Sequence, residues 1–339
     1  MNGPPTTPQE TTPNDPASLP ITSGPAPGLP SLFSPSSVWN APLADDAAVD
    51  PGSVAMVSGL TGEVAREEGL GIGPWISTDA NIYVAGPDQP TVRVQLDDPT
   101  ASWRAALQAA FTAVPIPAGA QPGSGSDAVM TVWRPASDKL WEFFGIRLLS
   151  DGWHAAWGGA IQNVSQSPGY YDASSWPGAS TSWGATASSL PAPAGVITLA
   201  DIEEGVIDHA LAVALPYPCQ GIYSWPAQRT DGTGTAANCI PEGAHLRIDP
   251  SLDIPALHLP ALVRMMAEAA QKYGMIVCNQ THWDIGFWTE SAAPGAANLF
   301  YSDGAPSPTG AFQGMWPNQL LSYFPWSAIQ VLKMDLSPT

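Results

Sequence analysis

Basic side chains are scarce in this chain of 339 residues: 11 Lys plus Arg stand against 30 Asp plus Glu, for a formal charge of −19. Such a surface repels phosphate backbones and anionic headgroups, which argues against nucleic acid and anionic membranes as partners. Charged residues of both signs make up only 12%, where about a quarter is usual, so long helices laced by salt bridges are not expected. No apolar run approaches the roughly 18 residues that a membrane-spanning helix needs. Cysteine is limited to three residues, at spacings that fit no zinc site. The sequence also has no phosphate-binding glycine loop, no His-Glu-x-x-His and no Gly-x-Ser-x-Gly. GLGIGPW (69–75) imitates a glycine fingerprint but lacks the strand-to-helix setting and reads as a turn.

Pro (37), Gly (32) and Trp (14) are abundant. Residues 1–30 are rich in Pro, Thr, Ser and Gly, a composition that cannot bury enough surface to offset chain entropy. They read as a disordered linker that could anchor or display the rest of the chain. MNGPPTTPQETTPND has neither a basic nor an apolar segment of a signal peptide. The expectation is that a leader was removed or that the protein leaves the cell another way, for example on a phage particle.

From residue 31 to 339 the reading is a single domain, with an irregular aromatic-rich C-terminal segment from about 288. Asn81–Ala85 and Thr91–Leu96 alternate about a Gly-Pro-rich turn and suggest a hairpin. Further strands are expected at 128–133, 139–149, 152–161, 207–214, 245–248, 276–287 and 329–334. Ser102–Phe111 and Pro260–Tyr273 carry helical spacing, the second ending at Gly274. The fold class is therefore mainly β, an antiparallel β-sandwich or jelly roll with one or two inserted helices. Cys219 and Cys239 bracket a Gly/Thr-rich loop, where a disulfide removes loop entropy usefully, while Cys278 in MIVCNQ reads as a buried thiol. A disulfide implies an oxidising compartment or a virion exterior.

Several strings occur together: Val38-Trp39-Asn40-Ala41-Pro42, Val114-Pro115-Ile116-Pro117-Ala118-Gly119-Ala120 with Gly125-Ser126-Asp127, and Lys139-Leu140-Trp141-Glu142-Phe143-Phe144. Ile207-Asp208-His209-Ala210-Leu211, Ile240-Pro241-Glu242-Gly243-Ala244 and Ala269-Ala270-Gln271-Lys272-Tyr273-Gly274 come after them in order. Over roughly 33–278 the chain resembles a domain of secreted actinobacterial proteins and of minor tail proteins of phages infecting actinobacteria. The resemblance implies an extracellular or virion compartment and modular use, and no particular reaction.

Glu142 lies between Trp141 and Phe143; burial among aromatics would raise its pKa, as a glycosidase acid requires, although a strand Glu facing water fits the same pattern. Asp208 and His209 are the next candidates, the His as acid or base, read on a strand that sends them to opposite faces. Trp153 and Trp157, four residues apart, would give an aromatic stripe for sugar rings with His154 on the other side; a buried aromatic cluster is the plainer alternative. Asp127, Arg229 and Glu242 are loop polar residues that could contact substrate or serve only turns and ion pairs. Asp45-Asp46 and Asp97-Asp98 leave structural calcium open without matching a known loop; no other cofactor is expected.

Two functions fit these features. One is a glycoside hydrolase acting on a bacterial cell-envelope polysaccharide, for example of arabinogalactan type. Glu142 and Asp208 would be its carboxyl pair, His209 or His154 would assist, and Trp141, Trp153 and Trp157 would be its platforms; a polysaccharide lyase is a variant. The other is a non-catalytic carbohydrate-binding adhesin, such as a phage tail module, which needs the platforms alone; a structural virion or cell-surface component with no ligand is a third, blander reading.

Overall fold

The computed structural model describes residues 32–98, 102–292 and 298–338; the expected linker at 1–30 lies outside them. Seventeen strands and five α-helices are present among the described residues. The helices are α1 (Ser53–Leu70), α2 (Ser102–Ala110), α3 (Leu199–Glu204), α4 (Ala261–Lys272) and α5 (Pro317–Leu321). The chain is thus mainly β with a few helices.

A six-stranded sheet forms the centre, in the order Trp75–Ala80, Gly286–Glu290, Leu211–Leu215, Met275–Gln280, His245–Ile248, Ile329–Val331. It is mixed. Trp75–Ala80 runs parallel to Gly286–Glu290, and Leu211–Leu215 parallel to Met275–Gln280, while its other contacts are antiparallel. Parallel neighbours need a long crossover, and the chain between 215 and 275 supplies one that includes α4.

The strands LAVAL (211–215) and MIVC (275–278) are apolar without alternation because both faces of the sheet are covered. Leu211, Val213, Met275 and Val277 pack with Met56, Leu60 and Val64 of α1 and with Leu262 and Met266 of α4. Ala212, Ile276 and Cys278, on the opposite face, pack with Met130, Val132, Trp141 and Phe143. Those four belong to a second sheet of Ile82–Val84, Met130–Arg134, Lys139–Phe144 and Trp157–Gln162. A three-stranded sheet of Val94–Leu96, Gly152–Ala155 and Arg147–Leu149 adjoins it.

Several expectations need correcting. Asn81–Ala85 and Thr91–Leu96 do not pair with each other: Ile82–Val84 lies against Met130–Arg134, and Val94–Leu96 against Gly152–Ala155, both parallel. Pro87 and Pro90, with no N–H to give, suit a link between sheets better than a hairpin turn. The expected strand 152–161 breaks at Ala156 into two strands of different sheets. The strand of Ile207–Ala214 begins only at Leu211, so Asp208 and His209 stand ahead of it. The expected strand 276–287 is two strands, Met275–Gln280 and Gly286–Glu290. Helix α1 was not expected at all.

Candidate functional site

A cavity of about 260 Å3 opens on the face of the central sheet that carries Ala212 and Cys278. Ser77 and Trp288, paired across adjacent strands, share its floor with Asn279. The loops 123–129 and 185–196 make its walls, through Gly125, Asp127, Ala185 and Ala192 among others. Two carboxylates face this cleft. Asp79 accepts hydrogen bonds from Ser77 Oγ and from the Gly125 N–H (3.1 Å), which ties one wall to the sheet edge. Asp127 is exposed at the loop tip, where Ser126 Oγ donates to it at 3.3 Å. Trp288 is half-buried, so part of its indole is open to the space.

Glu142 stands behind the opposite wall. It occupies the middle of Lys139–Phe144, flanked by Thr131 and Gly159, and is completely buried. Its two oxygens accept from the N–H groups of Ala185 (2.7 Å) and Ala192 (2.6 Å). Burial pushes its pKa up to about 7 against the lowering effect of those amides. The Tyr171 hydroxyl lies near the carboxylate but outside hydrogen-bond geometry, and has no other partner among the described residues.

Arg229 holds the same loop by its carbonyls. Its Nε donates to Ala187 O (2.9 Å), one terminal nitrogen to Ser182 O, and the other to Gly184 O (3.0 Å) and Thr186 O (2.7 Å). The segment 182–192 is thus clasped by a carboxyl group through its N–H groups and by a guanidinium through its C=O groups. Ser188 Oγ adds a bond to Cys278 O, and the Ala187 N–H one to Asn279 Oδ1 (2.9 Å), docking the loop on the central sheet.

The remaining candidates are dispersed. Trp141 is buried, its indole N–H donated to Ala110 O at 3.0 Å, so it offers no face to a ligand. Trp157 is half-buried, with the guanidinium groups of Arg104 and Arg229 4.7 and 5.5 Å from its ring. Trp153 packs from another sheet on the cluster that holds Trp141 and Phe143, and the indoles of Trp153 and Trp157 form no common stripe. His154 contacts Asp151 (3.1 Å) and Asp97 (3.6 Å); Asp97 also takes both terminal nitrogens of Arg147.

His209 has both ring nitrogens engaged, Nδ1 with Ala210 O (2.8 Å) and Nε2 with Asp201 Oδ2 (3.2 Å). Two acceptors favour the imidazolium. Its pKa is raised although burial opposes this, because Asp201 bonds and attracts the charged ring. Asp201 also closes the capping box of α3 with Thr198. Asp208 is exposed beside His209, next to a hollow of only about 40 Å3, and shares no cavity with Glu142.

Glu242 is fully buried, and among the described residues neither oxygen has a hydrogen-bond donor in bonding geometry, although Thr230 and Asp231 lie near it. Burial first, and then the charge of Asp231, raise its pKa to about 8. Cys219 and Cys239 are joined by a disulfide, and Cys278 is a buried thiol. Among the described residues no group of three or more His, Cys, Asp or Glu could hold a metal ion, and no helix is long and apolar enough to cross a membrane.

Asp79, Asn279 and Trp288 escaped the sequence reading. The cleft draws on segments near 79, 125, 190, 212 and 288, and no local pattern marks residues that meet only through sheet topology. Within Gly286–Glu290 the side chains alternate, so that Trp288 reaches the cleft while Phe287 and Thr289 on either side are buried. Comparisons with protein-family models, curated proteins and solved structures give no match.

Proposed function

We propose that this protein acts on carbohydrate outside a cell or on a virion surface, its cleft taking a segment of a cell-envelope polysaccharide as a glycoside hydrolase does. The observation that carries this is the convergence of an open indole, Trp288, with two carboxylates, Asp79 and Asp127, on one cavity. Indole faces pack against the C–H faces of sugars, and glycoside hydrolysis needs two carboxyl groups about the scissile bond. In this reading Asp127 and Asp79 take the place first given to Glu142 and Asp208. Glu142 and Arg229 hold the wall. The Cys219–Cys239 disulfide is compatible with an oxidising exterior, and the charge of −19 favours a neutral glycan over a polyanionic one.

A non-catalytic adhesin is the second reading, and one observation favours it: Asp79 is already committed to Ser77 and Gly125, which leaves Asp127 as the free carboxylate. Incubation with arabinogalactan-type and other envelope glycans, followed by assays of bound sugar and of new reducing ends, separates the two. Hydrolysis predicts new ends that Asp127→Asn abolishes. Binding without shortening selects the adhesin. Under either reading Trp288→Ala weakens binding about tenfold; unchanged binding would remove the cleft from consideration.

A further inference from the structure

A second, larger cavity of about 490 Å3 lies elsewhere, outside the carboxyl ends of the parallel strands Leu211–Leu215 and Met275–Gln280. Its walls come from three places. Helix α1 gives Met56, Leu60 and Glu63; the chain leaving the first strand gives Leu215, Pro216 and Tyr217; and the disulfide-closed loop gives Thr233–Ala236 and Cys239, with Ile240 just beyond it. The carboxyl ends of parallel strands are where ligands collect in sheets of this kind, because the loops there diverge and leave a crevice. The volume falls in the range that encloses a drug-sized molecule.

The crevice is held open by specific contacts. Gln280 Oε1, at the end of the second strand, accepts from the Thr233 N–H (2.8 Å) and hydroxyl (3.0 Å), and Asn238 Nδ2 donates to Ala55 O of α1 at 3.1 Å. The disulfide-closed loop is thereby fastened to the sheet on one side and to the helix on the other. The lining is apolar along Met56, Leu60, Leu215 and Ile240, with the exposed Tyr217 ring at the mouth. Glu63 supplies the polar end. Both contacts from Arg66 fall on its Oε1, which leaves Oε2 able to accept from a ligand.

We infer that this crevice is a binding site, separate from the glycan cleft, for a small molecule with an aliphatic or aryl body and a hydrogen-bond-donating amine or hydroxyl head directed at Glu63. A neutral or cationic head suits the cavity better than an anionic one, since Glu63 lines it and no basic side chain does among the described residues.

The test is a fluorescence titration of the full oxidised chain with N-phenyl-1-naphthylamine, an apolar arylamine that brightens when desolvated. A saturable, one-to-one signal is expected. Ala236 lies on the exposed loop, so Ala236→Trp fills the crevice without touching the core; it should weaken binding at least about tenfold. Thr235→Trp, also exposed, is the second variant should the first alter melting. Glu63→Gln should weaken binding a few-fold, and Trp288→Ala should leave it unchanged. Non-saturable binding, or saturable binding that survives both tryptophan substitutions, overturns the assignment. A loss with Trp288→Ala would move the probe to the cleft and overturn it equally. Because the readout involves no glycan, it fails or succeeds independently of the carbohydrate reading.

Discussion

Arg229 is an unusual cation in that carbonyl dipoles rather than a carboxylate receive its protons, with four accepting oxygens in 182–187. The planar guanidinium fits this ring of acceptors, and a lysine ammonium cannot reach all four. Arg229→Lys should therefore leave the chain folded but loosen one cleft wall. Amide hydrogen exchange at 182–192 is expected to accelerate selectively, and glycan affinity to fall with it. Unchanged exchange in that segment would show that Glu142 and the bonds to Cys278 and Asn279 fix the wall without Arg229. Glu142 was legible as a carboxylate among aromatics with a raised pKa. Its amide partners were not, because Ala185 and Ala192 carry no side-chain sign of their role.

At the scale of elements, the turn at Gly243 shows how closely the strands are joined. Gly243 has φ +82°, and a Cβ there would stand 1.6 Å from Ser224 O. Backbone cannot yield as a side chain end can, so Gly243→Ala should cost roughly 3 kcal/mol or more, read from a chemical denaturation midpoint at constant slope. Segments with a strong period were legible: α2 and α4 fall within a residue of their expected ends, as does His245–Ile248. Helix α1 was hidden because its buried positions, Ser53, Met56, Leu60, Val64 and Glu67, form a narrow stripe that begins and ends on polar residues. Glu67 on that stripe accepts from the Ile285 N–H rather than facing water, a bond made across more than two hundred residues. The run 152–161 read as one strand because nothing in GWHAAWGGAI marks the change of sheet at Ala156.

For the whole molecule, buried carboxyls set the pH dependence. Glu67, Glu142 and Glu290 are raised to about 7 and Glu242 to about 8, each chiefly by burial. An acid whose folded pKa exceeds its unfolded value stabilises the fold below that unfolded value and loses the contribution as pH rises through the folded one. For Glu142, deprotonation inside the fold costs ~3 kcal/mol more than in the free chain. The raised pKa of His209 acts in the same direction. His245, buried and lowered to about 4, acts oppositely, penalising the fold as pH falls below the ordinary histidine range. The thermal midpoint is therefore expected to fall between about pH 5 and pH 8, from just above the ordinary glutamate value to the raised one, by scanning calorimetry at constant ionic strength. A flat or rising profile over that interval would mean that these glutamates are hydrated. The mainly-β character, the disulfide and the buried thiol were legible in composition and local pattern. The cleft was not, since it exists only where sheet order brings distant segments together.

The bond between Cys219 and Cys239 closes a span of 20 residues in which Arg229 and the Thr233–Ala236 wall both lie. One covalent link thus governs two separate hollows. Cutting that bond with a reductant would lengthen the free chain on which both walls hang, so the two hollows should loosen together rather than one by one.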